Sequence, residues 1–94
     1  MMQKDGVVTI PAMVDLHVHF REPGFSYKET IRTGSMAARA AGYSDVFTMP
    51  NLNPVPDCLE NLKVQTDIIA RDAVIGVHPY AALTHGQRGA GELV

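Results

Sequence analysis

Ninety-four residues, 46% of them hydrophobic, suffice for one small domain and are marginal for a large core. A formal charge of −2 offers no basic field for nucleic acid and no polybasic patch for a membrane. One cysteine, Cys58, excludes an intrachain disulfide and fits a reducing cytoplasm, and neither a signal-peptide stretch nor a membrane-length apolar run is present.

In chain order, Asp5-Gly6 reads as a turn and Val7 to Ile10 as a short strand ended by Pro11. Val14 to His19 reads as a second strand, apolar enough to be buried on both faces of a parallel sheet. Alternation along that strand points Asp15, His17, His19 and Arg21 the same way. Two imidazoles two residues apart on one strand face can reach a single metal ion, and histidine suits zinc and similar borderline divalent ions. An Arg-Glu-Pro-Gly turn follows at once, and residues 21–28 read as a loop.

A helix is expected from Glu29 or Thr30 through Ala41, with Ile31, Met36, Ala37, Ala38 and Ala40 packing on a sheet and Gly42 just past its end. Gly34 inside it predicts close approach to the neighbouring strand. Residues 43–49 read as the next strand, stopped by Pro50, and residues 51–56 as a turn-rich loop. Asp57 is expected to cap a helix running to about Asp72, with Leu59, Leu62, Thr66 and Ile69 on one face. Cys58 at that helix start reads as a small thiol with no catalytic task. Val74 to Leu83 reads as a third strand of the series, residues 84–91 as a loop and residues 92–94 as the start of a further helix.

Strands alternating with helices imply right-handed βαβ units and a parallel sheet. The alternation leaves open whether the sheet is doubly wound or begins a (β/α)₈ barrel. No G-x-G-x-x-G follows the strand, which counts against a dinucleotide fold. Polar residues gather where strands end: His17, His19 and Arg21, then Asn51, then Thr84 and His85. That is the end at which (β/α)₈ enzymes build their sites.

Three motifs then coincide: residues 14–24, reading Val-Asp-Leu-His-Val-His-Phe-Arg-Glu-Pro-Gly, then Lys28-Glu29-Thr30, then Thr48-Met49-Pro50-Asn51. In this order and spacing they closely resemble dihydroorotase of the long bacterial type, in the amidohydrolase superfamily. Ala12 and Ala41 depart from glycines common there, both away from the motifs' polar residues. The resemblance implies an α/β fold. Residues 1–12 would end a small N-terminal β segment. Residues 13–94 would begin a metal-dependent TIM barrel, with two βα units and a third strand. It implies zinc-dependent, reversible cyclisation of N-carbamoyl-L-aspartate to dihydroorotate in pyrimidine biosynthesis. A complete active site would hold two zinc ions.

Carried over by position, His17 and His19 would bind metal, while Arg21 and Asn51, with His19 beside them, would hold the substrate and its carboxylate. Such a barrel takes about 250 residues in eight strand–helix units. The other ligands and a proton-shuttling aspartate are therefore expected beyond residue 94, and this stretch alone is not expected to be active. Partners implied are a small-molecule substrate and, for the whole protein, a homo-oligomer or aspartate carbamoyltransferase.

Other residues carry plainer expectations. His78 reads as a hydrogen-bonded structural histidine and His85 as a solvated loop residue. Asp15 is expected to bond backbone rather than orient a ligand; Asp45 and Thr48 belong to strand packing. Glu22 and Lys28 either pair with each other or touch substrate. Two other functions compete: allantoinase or another cyclic amidohydrolase, disfavoured by Arg21, which would lack a carboxylate partner, and a non-catalytic dihydroorotase-like scaffold subunit, disfavoured by the retained histidines.

Overall fold

A computed structural model of the chain describes Met2–Lys4 and residues 6–94, with side chains from residue 6 onward. Two short strands, β1 (Met2–Lys4) and β2 (Val7–Thr9), pair antiparallel. The sequence reading anticipated only the second, and Asp5 of the expected Asp5-Gly6 turn lies outside the described residues. The body of the chain is a parallel sheet of β3 (Met13–Val18), β4 (Tyr43–Thr48) and β5 (Gly76–Pro79), in that spatial order. Helix α1 (Ile31–Ala40) links β3 to β4, and α2 (Leu59–Asp72) links β4 to β5. This is the expected alternation of strand and helix.

Phe20, Ile31, Val46 and Val77 form the buried core between sheet and helices, with Val18, Ile68 and Ile69 packed around it. Thr30 caps α1: its hydroxyl accepts from the Thr33 N–H at 3.1 Å, and the Thr33 hydroxyl accepts from the Thr30 N–H at 3.2 Å. The buried face of α1 is Ile31, Gly34 and Ser35. Met36 and Ala40 do not join it; they line an open cleft with Arg32, Arg39 and Val74. A Cβ at Gly34 would stand 2.7 Å from the Phe20 ring, so the close approach is to the residue two places past the end of β3 and not to the strand itself.

Four further boundaries differ from the sequence reading. Cys58, not Asp57, is the N-cap of α2 and makes no side-chain capping bond. Gln65, not Leu59, occupies the buried face of that helix, donating to the Thr48 hydroxyl at 3.1 Å. β5 stops at Pro79 where its partner β4 stops at Thr48. The apolar run to Leu83 bonds instead to loop backbone, the Ala82 N–H donating to the Pro56 carbonyl and the Leu83 carbonyl accepting from the Val94 N–H. Residues 92–94 form no helix; Leu93 makes a β-bridge to Thr84 instead.

β3 is also less buried than two-sided packing would require, with Val14 52% and Leu16 62% exposed. It is an edge strand among the described residues. Its register against β4 slips between Asp15 and Val18, so three residues of β3 pass two of β4.

Candidate active site

The slip in β3 re-aims the residues at its C-terminal end. The Asp15 carboxylate accepts from the His17 backbone N–H at 3.0 Å, the backbone role expected of it. His17 and His19 then turn their rings toward each other, with the two Nε2 atoms 3.2 Å apart. The far side of the His19 ring faces Asn51, whose Oδ1 lies 2.9 Å from Nδ1. An amide oxygen can only accept, so His19 donates from Nδ1. The Nε2 of neutral His19 therefore carries a lone pair aimed at His17. Two nitrogens so placed share either one proton or one cation.

The donor set fits a metal ion. Two nitrogens bound to one tetrahedral zinc at ~2.0–2.1 Å stand about 3.3–3.4 Å apart, close to the separation here. The Asn51 contact also matches the usual arrangement, in which the outer ring nitrogen of a ligating histidine donates to an oxygen and fixes the tautomer. Among the described residues no group of three or more His, Cys, Asp or Glu side chains could hold a metal. Two histidines would fill two of the four positions of a tetrahedral site.

Beside it lies a cleft of about 330 Å³ lined by Arg21, Phe25, Lys28, Asn51, Leu52 and Gln87. Three loops meet there, one after each strand of the sheet. Its lining holds two cations, two amides and no carboxylate, which is the chemistry of an anion site. The fold thus brings Arg21 and Asn51 to one cleft next to the histidines. Lys28 is there too, with its ammonium 5.9 Å from the Phe25 ring centre. Gln87 was not singled out by the sequence, because nothing local marks a glutamine 66 residues from Arg21 as its neighbour.

The first loop is fastened at both ends. Glu22 neither pairs with Lys28 nor faces the cleft: its Oε1 accepts from the Ile31 N–H at 3.0 Å, at the positive end of α1. Gly24 has φ +102, and a Cβ there would lie 2.6 Å from the Asn53 carbonyl oxygen. The Asn53 N–H donates to the Pro23 carbonyl at 3.2 Å, seating the first loop against the second. Gly24→Ala combines a left-handed penalty of ~1–2 kcal/mol with overpacking of ~1–3 kcal/mol. The expected loss in unfolding free energy is about 2–5 kcal/mol, read from the urea midpoint at unchanged slope.

The third loop is fastened by Asp57. Its Oδ2 accepts from the Gly86 N–H at 2.8 Å and its Oδ1 from Asn61 Nδ2 at 2.9 Å. The Gly86 bond foremost, then Asn61, holds this carboxyl below the usual aspartate range. His85 Nδ1 stands 4.0 Å from the same carboxylate, so this histidine is tied to the loop anchor rather than wholly solvated.

His78 lies within β5, level with Phe47 of β4. Its Nε2 is 2.7 Å from Asp45 Oδ2, and its ring stacks on Phe47 with centroids 4.8 Å apart. The bond to His78 is the main cause holding Asp45 below its ordinary range. Both behave as the hydrogen-bonded structural residues expected of them.

A family model described as Dihydro-orotase-like matches residues 6–93. A dihydroorotase of Enterococcus faecalis is 55% identical over 84 residues, covering 89% of this chain and 20% of the relative. One from Fusobacterium nucleatum is 55% identical over 76 residues, covering 81% of this chain and 18% of the relative. A third, from Bacillus caldolyticus, is 48% identical over 84 residues, covering 89% and 20%. The chain spans about a fifth of the length of the curated relatives it matches. With the family model covering every residue that builds this site, the chain belongs to the dihydro-orotase-like family.

Proposed function

We propose that this chain supplies the first metal ligands and the carboxylate grip of a dihydroorotase. The enzyme would interconvert N-carbamoyl-L-aspartate and dihydroorotate in the cytoplasm, with residues 13–94 opening a (β/α)₈ barrel and residues 1–12 ending a β segment before it. The observation that carries the reading is the facing pair His17 and His19 beside a cleft holding Arg21 and Asn51. Family membership supports it, and so does the position of every one of these residues at a strand end.

His17 and His19 would hold zinc, the first of two ions in a complete site. What zinc supplies when bound is acidity, lowering the pKa of a water to about 7 and so making a nucleophile at neutral pH. Asn51 keeps His19 in the tautomer that leaves Nε2 free. Arg21 offers a planar fork to the carboxylate that distinguishes dihydroorotate from neutral cyclic amides. Asn51 has already committed its oxygen to His19, so its Nδ2 is the donor that remains for that carboxylate. Homo-oligomerisation or association with aspartate carbamoyltransferase belongs to the same reading of the whole protein.

The test uses a full-length chimera in which this chain replaces the matching stretch of the Enterococcus faecalis dihydroorotase. With zinc, it is expected to hydrolyse dihydroorotate with kcat/KM at least about a hundredfold above that for dihydrouracil or allantoin, as loss of one buried charged contact implies. Preference for an uncharged ring would move the allantoinase-like reading ahead. A chimera that folds and binds zinc but hydrolyses none of the three would favour the scaffold reading.

A further inference from the structure

We infer that the outer faces of α1 and α2 form a self-association surface, on which α1 of one copy packs against α2 of a second copy. This surface lies away from the proposed active site and does not depend on the reaction assigned there.

The outer stripe of α1 holds Arg32, Met36 and Arg39, all exposed, at positions i, i+4 and i+7. That of α2 holds Glu60, Val64 and Asp67, also exposed and at the same three positions. At 3.6 residues per turn, such positions fall within an arc of about 60°, and their ends stand about 10.5 Å apart along the axis. One stripe is therefore base, apolar, base, and the other acid, apolar, acid, at equal spacing. Laid side by side, they pair Arg32 and Arg39 with the two acids while Met36 meets Val64. Run antiparallel, they shift the apolar residue by only one position, about 1.5 Å.

The charges of this surface are largely unpaired within one copy. Among the described residues, Arg32, Arg39 and Glu60 have no ion-pair partner. Asp72, whose charge Arg32 feels, is gripped by Arg71 at 2.8 and 3.0 Å. Asp67 holds Lys63 at 2.9 Å, but both are largely exposed, and such a pair is weak enough to exchange.

The apolar residue of a partner helix has a place to enter. Arg32, Met36 and Arg39, with Ala40 and Val74, line a cleft of about 460 Å³. Ser35 fixes its far wall, since its hydroxyl accepts from the Val74 N–H at 3.2 Å. Further strands of a barrel would add beyond β3 and β5, the two edges, and would leave a cleft between these neighbouring units open.

Symmetry closes the arrangement. α1 and α2 pack side by side on one face of the sheet, where Ile31, Ile68 and Ile69 meet around one core. A two-fold axis sets α1 on the second copy's α2 and α2 on its α1 at once, which gives a closed pair.

Charge reversal in the full-length chimera, read by sedimentation at low salt, tests the inference. The parent is expected to show twice the mass of Arg32→Glu/Arg39→Glu, whose dimer Kd should rise at least about a hundredfold through like-charge contact. Glu60→Arg/Asp67→Arg should come apart likewise. Mixed in equal amounts, the two reversed proteins should regain the parent's mass, because each offers the charges the other lacks. The fourfold variant, complementary to itself again, should pair as the parent does. Raising salt from about 50 to about 500 mM should dissociate the parent, since screening shortens the reach of exposed charges. Circular dichroism checks folding, which substitutions at four exposed positions should leave intact. Equal masses for the parent and both reversed proteins would overturn the inference. So would reversed proteins that dissociate and stay apart on mixing, because the lost contact would then not join α1 to α2. Dihydroorotate hydrolysis in the same samples reports on the proposed reaction separately.

Discussion

Replacing His17 with Asn in the chimera is expected to strip most of the bound zinc and to lower kcat/KM by about a thousandfold or more, with the fold intact. The size follows from what is lost. A metal contributes several kcal/mol of transition-state stabilisation, and each 1.4 kcal/mol is about tenfold in rate. The fold survives because His17 is exposed and supports no part of the core, which lies on Phe20, Ile31, Val46 and Val77. His19→Asn should behave alike. Asn51→Ala is the informative intermediate: it leaves both ligands but frees the His19 ring from its 2.9 Å partner. Losing such an outer partner commonly costs about 10- to 100-fold in metal affinity. Zinc titration with a competing chelator, alongside circular dichroism, separates the cases. Full zinc occupancy and activity in His17→Asn would sink the ligand assignment.

Arg21→Met should spare zinc and damage substrate capture. A charge-assisted contact to a buried carboxylate is worth ~2–5 kcal/mol, which is roughly a thirtyfold to several-thousandfold fall in kcat/KM. Arg21→Lys should recover only part, because an ammonium cannot present two parallel donors. The loss should be confined to dihydroorotate and absent with an uncharged ring. Equal losses on both rings would mean that Arg21 shapes the loop and does not bind the carboxylate.

The two halves of this site differ in how far they could be read from the chain. His17 and His19 are neighbours in sequence, and strand periodicity alone brings them together. Helix α1 was legible for a similar reason, since Thr30, Gly34 and Gly42 mark local geometry. The cleft is another matter. Arg21, Asn51 and Gln87 come from three loops and meet only because β3, β4 and β5 lie side by side in parallel. Asn51 could be named through the family motif, but its bond to His19 could not. Glu22 reaching the Ile31 N–H instead of Lys28, and Asp57 reaching Gly86, 29 residues on, instead of capping α2, are likewise contacts that neighbouring sequence does not fix. Residue type permits both choices, and packing decides. The length of β5 was misread because a strand ends where its partner ends, and that partner is 31 residues away at Thr48.

On the carboxylate-binding role proposed for Arg21, its backbone sets stability against turnover at a single codon. Its φ is +66, a conformation that costs an ordinary residue ~1–2 kcal/mol and glycine almost nothing. Asparagine also tolerates it, whereas valine or isoleucine would add branching to the strain. In a library saturated at position 21, selection for heat resistance would therefore enrich glycine and asparagine and discard arginine. Selection for growth that depends on the enzyme's turnover would do the reverse, because on the proposed reading only arginine supplies the fork.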